Sequence, residues 1–147
     1  MTESEVRARL VGTWKVLSSE ETLKDRTKRP HPILGPNGKA FLMYSADGYM
    51  CAQLMNSDRP SWKDKNHPTD EEKLSAFDGF FAYSGRYEIN VEKKYVAHLP
   101  EVSLTQDYIG TRQIRPYRFD GNRMIFEDKV EDGSEVAAWQ IVWEKVR

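Results

Sequence analysis

A glycine, one further residue and a tryptophan open the first strand-like run of the chain, Leu10-Val11-Gly12-Thr13-Trp14-Lys15-Val16. Gly12 ends a short preceding segment, Ser4–Leu10, in which Val6 and Leu10 lie four residues apart, the spacing of one helical face. From Gly12 to Leu23 the pattern is that of a strand. Trp14, Val16 and Ser18 share one side, and Lys15, Leu17 and Ser19 share the other. A tryptophan at the root of a first strand suits the plug of one end of a small barrel. The rest of the chain then reads as the strands that close it.

Those strands are separated by recognisable turns. Asp47-Gly48 divides two apolar runs into a hairpin, with Leu42 and Tyr44 on one strand facing the same way as Met50, Ala52 and Leu54 on the next. Asp25–Gly38, which holds Pro30, Pro32 and Pro36, is expected to be a long loop at the open mouth and the natural place for a lid. Thr69-Asp70-Glu71-Glu72 has the form of a capping box and predicts a helix over 70–82, with Phe77, Phe80 and Phe81 available to cover a barrel end. Five strands follow: from Gly85, over Tyr95–Leu104, Gly110–Phe119 and Arg123–Val130, and over Glu135–Val146. Pro100 is expected to mark an edge or a bulge, so the side of that strand that faces inward stays open. Short connections favour antiparallel neighbours. The expected fold is all-β: a single domain over residues 1–147, forming an eight-stranded antiparallel up-and-down barrel with one helix between the third and fourth strands.

Composition narrows the function. Lys and Arg total 22 against 23 Asp and Glu, a net charge of −1, which lacks the basic surplus that phosphate-backbone binding requires. No nucleic-acid partner is expected. No apolar run is long enough to span a bilayer, and the polar start Met1-Thr2-Glu3-Ser4-Glu5 is not that of a signal peptide. With Cys51 alone, no internal disulfide can form. A cytoplasmic monomer or homodimer is expected. No His/Cys/Asp/Glu spacing suits a metal and no glycine-rich loop suits a nucleotide, so no metal and no cofactor are expected. Aromatics make up 12% of the chain, as fits a β core or an aromatic-lined pocket.

The candidate chemistry is thinly spread. His31 and His67 lie in proline-containing loops and read as solvated; His98 lies mid-strand and enters the barrel if Val96, His98 and Pro100 face inward. Gln113, Arg115, Tyr117 and Phe119 share a face whose aromatics argue for the inside. An Arg115 guanidinium there needs a partner, for which Glu88, Glu101 or a ligand oxygen qualify. Ala137, Trp139, Ile141 and Trp143 share a face that reads as core or pocket wall. Tyr44, Tyr83, Tyr87, Tyr95 and Tyr108 each carry a phenol that could donate, although packing is the simpler role. Lys145 or Arg147 is expected to cover Trp14 in a cation–π contact.

Gly12-Thr13-Trp14 resembles the lipocalin signature. Together with Phe41–Gly48, Tyr49–Met55, Tyr83–Glu88 and Glu101–Leu104, it makes nearly the whole chain resemble the lipocalin-like domain family of bacteria and fungi. That resemblance implies a barrel holding a small, partly apolar organic molecule. It also implies an alternative, a cofactor-independent cyclase, isomerase or dehydratase acting on a natural-product intermediate, for instance of polyketide type. A third reading is an interaction module with a filled barrel. In a binding barrel, Tyr44, Met50, Leu54, Phe77, Phe81, Tyr87, Gln113 and Trp139 are the expected ligand contacts. In a catalytic one, His98, Arg115, Tyr117 and Glu101 would move protons or steady an oxyanion.

Overall fold

The computed structural model describes residues 1–147. Helix α1 (Glu3–Leu10) precedes β1 (Gly12–Leu23), β2 (Lys28–Pro30), β3 (Lys39–Tyr44) and β4 (Tyr49–Met55). Helix α2 (Asp70–Asp78) then leads into β5 (Phe80–Asn90), β6 (Tyr95–Ser103), β7 (Gln113–Asp120), β8 (Arg123–Lys129) and β9 (Val136–Lys145). Each of β3 to β9 pairs antiparallel with the next, and β9 pairs along β1, so that β1 and β3–β9 close an eight-stranded barrel. The hairpin around Asp47-Gly48 has the expected register, Leu42 opposite Ala52 and Tyr44 opposite Met50.

Two expectations need correction. The helix lies after β4 rather than after the third strand, because part of the long loop is itself a strand. At 12 residues, β1 is twice as long as the 6-residue β3, and the upper half of its edge would be left open. Lys28–Pro30 fills it, pairing with Glu20–Thr22 above the point where β3 stops. The second correction concerns α2 itself. It begins with the capping box, Thr69 accepting from the Glu72 N–H and Glu72 accepting from the Thr69 N–H, but ends at Asp78 instead of reaching Ala82. Beyond Gly79 the chain pairs with β4, Phe80 opposite Met55 and Phe81 opposite Leu54, and this ladder outcompetes another turn of helix. Leu74 and Phe77 are 61% and 50% exposed, so α2 lies on the outside and does not plug the barrel.

Besides an irregularity at the end of β1, between Thr22 and Leu23, two bulges reset the alternation. Between Val16 and Ser18 the register with β9 shifts by one at Leu17, so Trp14 and Val16 face the core while Ser18 turns outward and Ser19 and Glu21 take the inner side. Glu101 is the extra residue between the pairs Gly85–Pro100 and Ser84–Val102. The strands meet so closely there that a Cβ on Gly85 would lie 2.0 Å from the Leu99 carbonyl oxygen. The bulge settles the open question in β6: Val96, His98 and Pro100 are buried, whereas Val102 is outside.

The base is closed by α1, whose Val6 and Leu10 are buried against Trp14. The Trp14 Nε1–H donates to the Leu10 carbonyl, and Lys145 lies 4.5 Å above the ring centroid. Lys145 Nζ also donates to the carbonyls of Arg9 and Val11, where the helix dipole favours a cation. Arg9 donates to the Gly121 carbonyl in the β7–β8 turn, tying the helix across the barrel.

Candidate functional site

Above this base the barrel is hollow. A cavity of about 320 Å³ opens at the opposite end and is lined mostly by apolar side chains. Leu42, Ala52 and Leu54 come from β3 and β4, Phe81 and Tyr83 from β5, and His98 from β6. Arg115, Phe126, Ile141 and Trp143 come from β7–β9. His31 and Ile33 hang over the opening from the proline-rich loop, and Tyr108 closes the side. Tyr108, one of five tyrosines whose phenol could donate, ends a short 3-10 turn, Gln106–Tyr108, between β6 and β7.

Register decides who meets whom. Tyr83 and His98 lie on neighbouring strands, both inward, with Tyr87 directly opposite His98 in the β5–β6 pairing. The Tyr83 hydroxyl is 2.7 Å from His98 Nδ1, and the Tyr44 hydroxyl is 2.5 Å from Nε2. Burial, with Arg115 nearby, holds the His98 ring well below the ordinary histidine value, so it is neutral. Burial pushes the Tyr83 hydroxyl up to about 12, with Arg115 pulling the other way. The Tyr44 hydroxyl is driven upward by burial too.

Arg115 is a half-buried cation without a carboxylate. Its Nη1 reaches the Ile114 carbonyl at 3.4 Å, its Nη2 reaches the Tyr108 hydroxyl at 3.4 Å, and its guanidinium stands 5.6 Å from the Trp139 ring centroid. The two protein partners considered for it are engaged elsewhere: Glu88 binds Arg112 and Glu101 binds Arg86, both on the outer surface. His31 stands on the same side; its Nδ1 accepts from the Ile33 N–H, and burial lowers its pKa. It is thus a neutral ring with its proton on Nε2 rather than a solvated loop histidine. The rim is braced by Arg29, whose guanidinium bridges Glu21 and Glu135 at 2.9 Å each.

Of the residues singled out from sequence, Leu54, Phe81, His98 and Arg115 line the cavity. Trp139 stands in an adjoining recess with His31, Arg115 and Ile141. Tyr44 lies beneath the cavity, behind His98. Met50 and Tyr87 are buried lower in the core, the Tyr87 hydroxyl donating to the Ser45 carbonyl at the β3–β4 turn. Gln113 is half-buried, its amide donating to Thr111. Tyr117 packs on Phe119 toward the base, away from His98. Glu101 sits on the bulge and points outward, and Phe77 is exposed on α2, so neither reaches the cavity. The lining residues not selected from sequence include Tyr83, Tyr108, His31 and Trp143. Trp143 belongs to the face that reads as core or pocket wall and the two tyrosines to the phenols that could donate, whereas His31, which reads as solvated, has only its place in a loop expected to form the rim.

No group of His, Cys, Asp and Glu side chains is arranged to hold a metal ion. No helix is long and apolar enough to cross a membrane. A family model described as a lipocalin-like domain matches residues 11–146. No curated protein and no solved structure matches the chain.

Proposed function

The chain belongs to the lipocalin-like domain family, and on that footing we propose that it binds a small, mostly apolar organic molecule through an oxygen held by Arg115. The observation that carries this reading is the guanidinium itself. It is half-buried at the wall of a cavity and forms no ion pair: Glu88 and Glu101 are paired on the outer surface, and Glu21, in the adjoining recess, is held by Arg29. An enclosed charge without a counter-ion is unfavourable, and a ligand oxygen relieves that cost through charge-assisted hydrogen bonds. The apolar remainder of the wall takes the body of the ligand. An empty volume of about 320 Å³ also argues against a filled barrel that serves only as an interaction module.

The test is native mass spectrometry of the purified protein, with the bound mass identified after denaturation. Arg115→Met, which keeps length and apolar bulk, should weaken binding of that compound about tenfold or more, while the fold is retained. Undiminished binding by this variant would rule the reading out.

A second reading, a cofactor-independent isomerase, cyclase or dehydratase, is favoured by one feature: His98 and two tyrosine hydroxyls share a hydrogen-bonded chain beside Arg115. Proton NMR in deuterium oxide checks it. A catalytic barrel accelerates deuterium exchange α to the carbonyl of an enolisable ketone, and Arg115→Met slows it.

A further inference from the structure

Neutral imidazole offers one donor and one acceptor. Both ring nitrogens of His98 face tyrosine hydroxyls, so one hydroxyl must donate to the ring and the other must accept from it. The two arrangements are not equivalent, because the two tyrosines differ in what else they can reach. Tyr44 is 3% exposed, does not line the cavity, and its hydroxyl has no hydrogen-bond partner except His98. If Nε2 carried the proton, Tyr44 would accept it and its own O–H would be buried with nothing to receive it. If Nδ1 carries the proton, Tyr44 donates to Nε2 and Nδ1–H donates to the Tyr83 oxygen. The Tyr83 hydrogen then turns away from His98, toward the side of the cavity where Arg115 and Tyr108 approach its hydroxyl. Leaving a buried donor unpaired biases such a choice by roughly tenfold or more.

The same accounting applies around the cavity. Arg115 has only donors, and His31, whose Nδ1 accepts from the Ile33 N–H, presents an Nε2–H. Trp143, which lines the cavity at 4% exposure, has an Nε1–H with no partner. These donors sit among aromatic walls, Phe81, Tyr108 and Phe126, which suit a flat body. Both Nη atoms of Arg115 already carry a contact, to Ile114 and Tyr108. The Tyr83 hydroxyl approaches the same guanidinium, so a single oxygen seated between the two receives a donor from each, which a two-pronged grip on Arg115 alone forgoes.

We infer that Tyr83, fixed as an O–H donor by His98 and Tyr44, joins Arg115 in an oxyanion pocket that selects a planar compound in its enolate or phenolate form. The inference rests on the small-molecule reading above and names the class of molecule. It also says what the chain of hydroxyls does. Through His98, the proton that would replace one given up by Tyr83 comes from Tyr44, leaving a phenolate sealed in the core. The assembly therefore stabilises negative charge on the ligand oxygen without delivering a net proton to it.

Two measurements test this. Nitrogen-15 NMR of the histidine rings in the unliganded wild-type protein should show His98 protonated on Nδ1; protonation on Nε2 overturns the inference without any variant. The second uses 4-nitrophenol, whose absorbance distinguishes phenol from phenolate, alongside nitrobenzene and 4-nitrobenzoate. Wild type should bind the phenolate about tenfold or more tightly than the phenol. Tyr83→Phe should abolish most of that preference. Tyr44→Phe, which alters no cavity atom, should lose part of it, whereas a purely local role for Tyr83 would leave it unchanged. Equal binding of nitrobenzene, tighter binding of 4-nitrobenzoate, or an unchanged preference in Tyr83→Phe overturns the inference while leaving small-molecule binding intact. Failure of all three probes, together with no co-purified mass, removes the binding reading and this inference with it.

Discussion

At the base of the barrel Trp14 is 2% exposed, and the polar groups around it are matched: its indole N–H by Leu10, and the Arg9 and Val11 carbonyls by Lys145. At the mouth the pattern reverses. Arg115 lacks a carboxylate, the cavity presents unused donors, and α2 leaves Leu74 and Phe77 in solvent. Both ends are built from the same materials, aromatic rings under cations, Lys145 over Trp14 and Arg115 beside Trp139. The difference is what completes the hydrogen bonds. At the base the chain completes them itself, so the contact contributes to stability. At the mouth the chain leaves them open, which favours a ligand at the expense of stability.

The comparison breaks most visibly at Trp14. Trp14→Ala should destabilise the protein by about 3–5 kcal/mol, the usual cost of removing a large buried ring, measured by urea unfolding. A loss below about 1 kcal/mol, the scale of a single net hydrogen bond, would mean that the base is not the keystone.

Between the ends, His98 should give the fold a pH dependence. Its ring is neutral in the folded protein because its native pKa lies well below the ordinary value. The unfolded chain takes up a proton near pH 6.5, whereas the folded one does not. Stability is thus fully present above about pH 6.5 and falls below it, by up to about 1.4 kcal/mol per pH unit, until the native pKa is reached. His31, also lowered, contributes in the same window and with the same sign. Unfolding midpoints of His98→Gln between about pH 6.5 and 5 should show a slope flatter by one proton; an unchanged slope would place a charged His98 in the native core.

Lys145→Met sharpens the contrast further. It removes two hydrogen bonds and the cation over Trp14, and a loss of about 1–2 kcal/mol is expected. The counterpart at the mouth, Phe77→Ser on exposed α2, should change stability by less than about 0.5 kcal/mol. Thermal unfolding of the pair in parallel would show whether the mouth is as tolerant as its exposure implies.

Much of the barrel was legible in the chain because its signals are local. Asp47-Gly48 sets a hairpin whatever lies elsewhere, Thr69 and Glu72 cap each other across one turn, and Val6 and Leu10 mark a helical face. A basic residue of the last strand over Trp14, Lys145 or Arg147, was readable from closure of the barrel, and the structure selects Lys145. The site was less legible. His98 and Arg115 could be suspected as polar residues on inward faces, but Glu101 and Tyr117 were equally plausible by alternation, and only one of each pair reaches the cavity.

The amino-acid sequence by itself determined the eight barrel strands in outline, most of the turns between them and the tryptophan at the base, because each rests on neighbours within a few positions. Only the tertiary structure decided the site. One extra residue at Leu17 and another at Glu101 exchange inside for outside in everything beyond them; Pro100 marked the second, but periodicity gives neither its position nor the face that results. The pairing that matters most, Tyr44 and Tyr83 on either side of His98, joins residues 54 and 15 positions apart. It exists because closure of the barrel sets their strands at the same height.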